Sequence, residues 1–272
     1  VEARGEAQGL ALFRRWAGAF PAAYRERTPP AAAVTDLLHI DALGEAQPVA
    51  LSFYRPLGAQ ADRFGFKVYR RGQPLALAES LPMLEHLGVK VLAEARHAIG
   101  AGTEAVWLHD FALQAQLPED MELEAIARRF EECFLAVLDG RVEDDDFNRL
   151  VLRAALSARE IVILRAYARY FRQIGFALSQ RFIETTLAAH PQIARMLVRL
   201  FGLRFDPAAA DAEAEQRQAQ AIEAALARVA DLSEDRVLRQ YLAAIRSTVR
   251  TNYWRTGVGS SGAPGPWRPF LS

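Results

Sequence analysis

The chain contains one cysteine, Cys133, among its 272 residues. A framework of disulfide bonds needs pairs of cysteines, so the sequence excludes one, and its composition is typical of a cytoplasmic protein. The neighbours of Cys133, Phe134, Val137 and Leu138, are apolar. A free cysteine in such surroundings is usually part of a core, so we expect a buried structural thiol and not a nucleophile.

The chain also has no excess of charge and no long apolar run. Lys and Arg together number 33, as do Asp and Glu, so the formal net charge is zero. A neutral chain offers no general attraction for nucleic acid or for anionic lipid. No apolar stretch is long enough to span a bilayer, and the N-terminus lacks a targeting pattern. We therefore expect neither a nucleic-acid partner nor a membrane.

The best-defined local pattern lies between residues 147 and 207. Ser157 and Glu160 form an S-x-x-E capping box before an apolar run, which predicts the start of a helix, and Gly175 predicts its end. A second helix should begin near Ser179 and end before Pro191, because the residue before a proline avoids the helical region. A third is predicted over residues 192–205, and we expect Leu164, Phe171 and Ile174 of the first helix to lie in the core. The pattern indicates a helical bundle and no chemistry.

Between residues 34 and 114 the pattern changes to that of a sheet. A helix over residues 75–87, with Leu77, Leu81, Leu84 and Leu87 on one face, should end at Gly88, and another is predicted over residues 122–138. The alternation of apolar and polar residues predicts strands over residues 35–41, 49–54, 66–70, 89–96 and 105–114.

A resemblance to a known family is carried by five parts of the chain: FNRLVLRAALSAREIVILRAYARYFRQIGFALSQ, Ile193-Ala194-Arg195, Phe205-Asp206-Pro207, Glu234-Asp235-Arg236-Val237-Leu238-Arg239 and Arg250-Thr251-Asn252-Tyr253. These residues resemble the very large bacterial NAD-specific glutamate dehydrogenases. In that family, ACT-like segments and a helical region precede the catalytic domain. The resemblance covers most of the chain and implies an internal, regulatory and structural piece of an enzyme that converts L-glutamate, NAD and water to 2-oxoglutarate, ammonia and NADH. It further implies the rest of the polypeptide as partner, and a homo-oligomer.

The same resemblance implies an ACT-like unit, carried by Gly72, Leu81, Leu84 and the run Leu87-Gly88-Val89-Lys90-Val91. A right-handed crossover would make the strands at 66–70 and 89–96 parallel, and residues 49–54 would supply the fourth strand. The predicted fold class is α+β, with an ACT-like (ferredoxin-like) sheet-and-helix domain followed by an all-helical domain. We divide the chain into a helix and linker (1–33), an ACT-like domain (34–140), a helical domain (141–256) and a flexible linker toward an absent catalytic domain (257–272).

No catalytic, cofactor-binding or metal-binding residue is predicted. Glutamate dehydrogenation needs a cation for the substrate carboxylate and a lysine of shifted pKa. The only lysines, Lys67 and Lys90, lie in predicted strands and outside any glycine-rich pocket sequence. The resemblance therefore implies NAD in the parent enzyme, while we expect none in this chain and expect the chain alone to be inactive.

Three motifs that suggest chemistry have simpler interpretations. Residues 257–262 fit G-x-G-x-x-G, but prolines follow where a nucleotide-binding helix should start, which favours a linker. His97 and His109 could face each other on neighbouring strands, yet two ligands rarely hold a metal, and the adjacent His109 and Asp110 should point to opposite faces. The acidic residues 143–146 are expected at a helix N-terminus.

Two sets of residues are candidates for binding. Because ACT units commonly bind small effectors, the resemblance implies an amino-acid site, which we place at Arg70, Arg71 and Gly72, where a glycine allows close approach and a helix entered through Pro74 offers N–H groups. The alternative is an ordinary turn.

The second set, Arg165, Arg169 and Arg172, lies on one helix face. It could form ion pairs, a solvated face or a docking surface for another part of the polypeptide. A helical interaction or nucleic-acid-binding module remains the alternative function for the whole chain.

Overall fold

The computed structural model describes residues 6–16, 18–100, 105–118, 121–208, 211–254, 269 and 271. The chain forms two compact units. The sheet unit comprises Val1–Pro82 and Lys90–Ala115, and the helical unit comprises Met83–Val89 and Gln116–Ser272.

The sheet unit contains a four-stranded antiparallel sheet of order β1-β2-β4-β3. Its strands are β1 (Val49–Tyr54), β2 (Arg63–Arg71), β3 (Lys90–Ile99) and β4 (Val106–Gln114). Both β2 and β3 are antiparallel to β4, so they run in the same direction with β4 between them. The predicted parallel crossover is thus confirmed, as is the fourth strand supplied by residues 49–54, which pair with β2. The α+β, ACT-like fold class is correct.

Three helices precede the sheet, namely α1 (Glu6–Trp16), α2 (Ala22–Arg27) and α3 (Pro30–Asp41). The strand predicted over residues 35–41 is wrong, because this segment is the second half of α3. Pro30 occupies the first turn of that helix, where its fixed φ and missing N–H are favourable. Asp36 and Ile40 are both buried and lie four residues apart, which is the spacing of a helix face.

One face of the sheet packs against these helices. The core cluster there contains Trp16, Tyr24, Ile40 and Tyr69 and continues to Ile99, Val106 and Leu108. A Cβ at Gly65 in β2 would overlap the ring of Tyr54, its partner in β1. Glycine is therefore required at position 65 for the tyrosine ring to lie across the sheet.

Helix α4 (Leu77–His86) follows β2 and ends as predicted near Gly88, whose φ is +85°. A left-handed residue of this kind commonly terminates a helix, and glycine adopts it without strain. Leu84 and Leu87 are buried, but Leu77, which was predicted on the same apolar face, is exposed. The helix starts two residues later than predicted, and Leu77 is its first residue.

The helical unit is built from α5 (Leu123–Leu138), α6 (Leu150–Arg153), α7 (Ala158–Gln173), α8 (Gln180–Ala189), α9 (Pro191–Phe205), α10 (Ala212–Leu226) and α11 (Leu232–Ser247), with a 3-10 turn at Asp146–Arg149. The predicted capping box is present at the start of α7, where the Ser157 hydroxyl and the Glu160 side chain each bind the other's backbone N–H. Ser179 caps α8, and α9 ends at Phe205 as predicted. Gly175, at φ +76°, follows α7.

The core of the helical unit surrounds α7. Leu164 and Phe171 are fully buried, as predicted, and the Tyr241 hydroxyl of α11 donates to the Leu164 carbonyl at 2.9 Å. Ile174 was predicted in the core, but its side chain is 51% exposed. The chain leaves the helix at this residue, so the side chain turns away from the bundle. Cys133 is buried, and burial raises the pKa of its thiol to about 12.

Candidate functional site

The turn that follows β2 is closed by hydrogen bonds to β4 and to Ala105, the residue just before that strand. Gly72 has φ +88°, its N–H donates to the Ala105 carbonyl at 2.9 Å, and its own carbonyl accepts from Trp107 Nε1 at 3.0 Å. The Arg71 N–H donates to the Pro48 carbonyl at 3.0 Å. Arg70 and Arg71 are successive residues of β2, so their side chains leave opposite faces of the sheet.

His109 of β4 binds the backbone just beyond this turn. Its Nε2 accepts from the Leu75 N–H at 3.0 Å, so the ring proton is on Nδ1, which donates to Glu94 Oε1 at 2.8 Å. The ring is fully buried, and burial lowers its pKa below 6.5. Because the Leu75 N–H is occupied and α4 starts at Leu77, the expected N–H groups at a helix entered through Pro74 are not there. The effector site at Arg70, Arg71 and Gly72 stays a prediction that would depend on the arginines.

A buried ionic group on the helix-covered face of the sheet was not predicted. The carboxylate of Asp36, 1% exposed, accepts from Lys67 Nζ at 2.8 Å on both oxygens, from the Tyr24 hydroxyl at 2.5 Å and from the Tyr69 hydroxyl at 2.6 Å. We call these four residues the Asp36 cluster. Burial raises the pKa values of both tyrosine hydroxyls, and the neighbouring carboxylate adds to the shift. Both tyrosines therefore remain neutral donors that hold the Asp36 charge.

Two further residues border the Asp36 cluster. Asp110 Oδ2 lies 3.9 Å from Lys67 Nζ, and the Tyr54 hydroxyl donates to Asp110 Oδ1 at 3.3 Å. Burial raises the pKa of Asp110, while the nearby lysine acts against that shift. Lys67 is 6% exposed and its ammonium is bound on both Asp36 oxygens, so it cannot serve as a free nucleophile or proton acceptor.

The three arginines of α7 that were considered for docking differ in exposure, and Arg165 is not at the surface. Arg165 is 4% exposed, and its guanidinium donates through Nε and NH2 to the two oxygens of Asp145, both at 2.7 Å. Its NH2 also donates to Asn148 Oδ1 at 2.9 Å. Arg169 forms an ion pair with Glu143, and Arg172 is exposed. Of the three, Arg165 belongs to the interior, because a two-pronged ion pair holds it there.

The acidic residues 143–146 serve local structure. Asp145 caps the 3-10 turn by accepting from the Phe147 N–H at 3.2 Å while binding Arg165. Asp144 Oδ1 lies 2.8 Å from His86 Nδ1, and Asp146 forms an ion pair with Arg149. Asp145 and Asp146 thus lie at the start of the 3-10 turn that leads into α6, whereas Glu143 and Asp144 precede it. Each carboxylate has a protein partner.

Neither metal chemistry nor nucleotide chemistry gains support from the remaining motifs. His97 lies opposite Leu108 in the register while His109 lies opposite Arg96, so the two histidines are on opposite faces of the sheet. Within the described ranges there is no group of three His, Cys, Asp or Glu residues placed to hold a metal ion. The G-x-G-x-x-G run at 257–262 lies outside the described residues. None of the described helices is long and apolar enough to cross a membrane.

Four family models match successive parts of the chain. They are described as glutamate dehydrogenase helical motif 2 (residues 1–43), ACT3 domain (48–126) and helical motif 3 (142–207), and as the catalytic domain of bacterial NAD-glutamate dehydrogenase (221–265). The last match begins inside the region assigned above to the helical domain.

Individual proteins show the same similarity. The chain is 41% identical over 256 residues to an NAD-specific glutamate dehydrogenase of Halomonas elongata and 42% identical over 264 residues to one of Pseudomonas aeruginosa, and each comparison covers 94% of the chain. A Mycobacterium tuberculosis protein of the same name is 37% identical over 93% of the chain. The chain spans 16% of the length of each of these relatives.

Proposed function

The chain is related to one segment of the bacterial NAD-specific glutamate dehydrogenases, and we propose that it is a regulatory and structural segment which does not itself catalyse the reaction. In the longer protein it would act beside a catalytic domain that binds NAD and converts L-glutamate to 2-oxoglutarate and ammonia. We further propose a cytoplasmic location and a homo-oligomeric parent. The matches to an ACT domain and two helical motifs, which together take up most of the sequence, support this role.

The proposal that the chain is inactive rests on the positions of its two lysines. Oxidation of glutamate needs a lysine whose amine is free to polarise or exchange a proton at the α-carbon. The ammonium of Lys67 is buried against Asp36, and Lys90 is the first residue of the edge strand β3.

A direct assay tests this proposal. The purified chain is incubated with L-glutamate and NAD, and NADH is followed by its absorbance. We expect no NADH above a buffer blank, because the chain lacks a source of electrostatic stabilisation for the reaction. Turnover that co-purifies with the chain would refute it.

We also propose that the turn at Arg70, Arg71 and Gly72 binds the carboxylate of an amino-acid effector. The exposure of the turn at Gly72, which ends a central strand and has an arginine on each face of the sheet beside it, supports this site. Each of the twenty amino acids is added at millimolar concentration while the unfolding temperature is measured. A ligand should raise that temperature by mass action.

The variants for this test are Arg70→Ala and Arg71→Ala, with the exposed Arg25→Ala of α2 as the matched control. At least one of the first two should remove the thermal shift, while the control should keep it. A screen without any shift, or a shift that survives in both turn variants, would leave the sheet unit without this effector site.

A further inference from the structure

A cavity of about 430 Å³ lies in the helical unit beside α9. Apolar side chains of α7 and α9, among them Ile163 and Val198, form one part of its wall, and Tyr253 and Trp254 form another. A cavity of this size with a largely apolar wall and a few polar groups is typical of a small-molecule site.

The aromatic part of the wall is fixed by contacts within the helical unit. The ring of Trp254 stacks on Phe201 with centroids 5.5 Å apart and planes within 13°, and Tyr253 meets the same ring edge-on at 5.6 Å. Arg159 NH2 donates to the Tyr253 carbonyl at 2.9 Å and its guanidinium lies over the tyrosine ring. The aromatic part of the wall is therefore preformed, and an apolar group can pack against it.

Gly202 keeps the cavity open. It lies inside α9, where glycine is a poor helix former, and a Cβ built on it would meet no atom within 4 Å. Because Gly202 also lines the cavity, the missing side chain leaves space there and relieves no clash. Packing and helix stability both favour a larger residue at this position, so the glycine is explained by the empty volume that it preserves.

The wall also carries charged groups of both signs. One oxygen of each carboxylate that lines the cavity is engaged within the chain: Glu160 Oε2 accepts from the N–H and hydroxyl of Ser157, each at 2.7 Å, and Asp206 Oδ1 accepts from the Ala208 N–H at 2.9 Å. Arg199 lines the same cavity, is exposed, and forms no ion pair with any acidic side chain in the described part of the chain. The free donors of this guanidinium fit a carboxylate.

We propose that this cavity binds a small organic carboxylate with a planar apolar body, which packs against Trp254 while its carboxylate pairs with Arg199. The residues from α7 and α9 belong to the match with helical motif 3, and Trp254 belongs to the match with the catalytic domain. A bound ligand would thus contact both matched regions. The proposal that the ligand binds depends only on the cavity, whereas any effect of the ligand on glutamate oxidation rests on the proposed function.

Binding is tested on the purified chain with benzoate and indole-3-acetate as probes, and with benzamide and indole-3-acetamide as uncharged analogues. The readout is the indole N–H resonance of Trp254 in a two-dimensional NMR spectrum, assigned by its loss in Trp254→Phe. At least one acid should shift this resonance saturably. Its uncharged analogue should bind about 10- to 100-fold more weakly, as expected for the loss of a charge-assisted hydrogen bond.

Three variants separate this site from unspecific binding. Arg199→Ala should weaken binding of the acid about 10- to 100-fold, and Gly202→Leu should also weaken it by occupying part of the cavity. Arg181→Ala removes an exposed arginine of α8 that does not line the cavity and should bind as the original chain does. The thermal unfolding of each variant shows that it is folded.

The proposal is overturned if neither acid shifts the Trp254 resonance at millimolar concentration, if the uncharged analogues bind as tightly, or if Gly202→Leu binds as tightly as the original chain. These measurements involve no catalytic activity, so their failure leaves the proposed function standing. Conversely, NADH formation by the chain would refute that function without touching this site.

Discussion

Replacing Asp36 with asparagine tests whether the Asp36 cluster stabilises the sheet unit. The substitution keeps the shape of the side chain but removes its charge, and the new amide N–H₂ points toward groups that are themselves donors. Lys67, 6% exposed, is left with a buried ammonium that no longer has its close counter-ion. Removing one partner of a buried ion pair typically costs 3–5 kcal/mol, and we expect Asp36→Asn to lose about that much.

The neighbouring carboxylate of Asp110 should limit the loss of stability in Asp36→Asn. Asp110 Oδ2 is 3.9 Å from Lys67 Nζ and can accept part of the lysine's interaction when Asp36 is neutral. Asp110→Asn alone should therefore have a small effect, because a second, closer carboxylate remains. In the Asp36→Asn background the same change should cost more. Tyr24→Phe, which removes one hydroxyl from the cluster, should cost about 1.5–3 kcal/mol, the range for a hydrogen bond to a charged group.

A double-mutant cycle measures the coupling energy between Asp36 and Lys67 more directly than either single variant does. Lys67→Met also leaves an unpaired buried charge, whereas the double variant Asp36→Asn with Lys67→Met leaves none. The double variant should thus be less destabilised than the sum of the single changes, by at least about 1 kcal/mol. Because the chain has two compact units, unfolding should be followed by hydrogen exchange of peptides from β2, which report on the sheet unit alone.

Two results would refute this account. One is a loss below about 1 kcal/mol for Asp36→Asn, which would mean that water or another group satisfies the lysine. The other is strict additivity of the two single changes, which would mean that the two side chains do not interact across the 2.8 Å contacts.

The local sequence determined the helices between residues 147 and 207. Ser157, Gly175 and Pro191 each act on the backbone within one turn of their own position, through a cap, a left-handed residue and a fixed φ. No distant residue is needed to place such boundaries, so the sequence alone predicts them. The sheet was predicted by alternation, and the place of its fourth strand by the number of strands that the ACT-like unit requires.

The Asp36 cluster could not be predicted in the same way. Its members lie up to 45 residues apart, and a carboxylate on the buried face of α3 conceals the apolar pattern that would have marked a helix. The one usable indication was Pro29-Pro30, which favours a helix start at the residues that were assigned to a linker.

The arginines of α7 show a second limit of periodicity. Spacing places Arg165 and Arg169 on one face of the helix, but it does not show which of the two is buried. Arg165 is buried because Asp145 and Asn148, which precede α7, bind its guanidinium in the interior. Whether an arginine is buried thus depends on a partner from another element.

Three further predictions concern single residues. Ser157→Ala should cost about 0.5–2 kcal/mol through the lost cap, and Leu164→Ala, in the core, about 2–5 kcal/mol; the opposite order in a urea titration would contradict the described packing. Burial lowers the pKa of His109 below 6.5, so the folded state binds fewer protons than the unfolded chain, and stability should fall as the pH drops below about 6.5. That slope should flatten in His109→Gln; an unchanged slope would exclude His109 as its cause. Finally, Gly202→Ala should stabilise α9 by roughly 0.5–1 kcal/mol, because alanine is the better helix former and its methyl group would enter empty space. A destabilised Gly202→Ala would mean that the wall closes on this position, and the cavity would then be smaller than the structure shows.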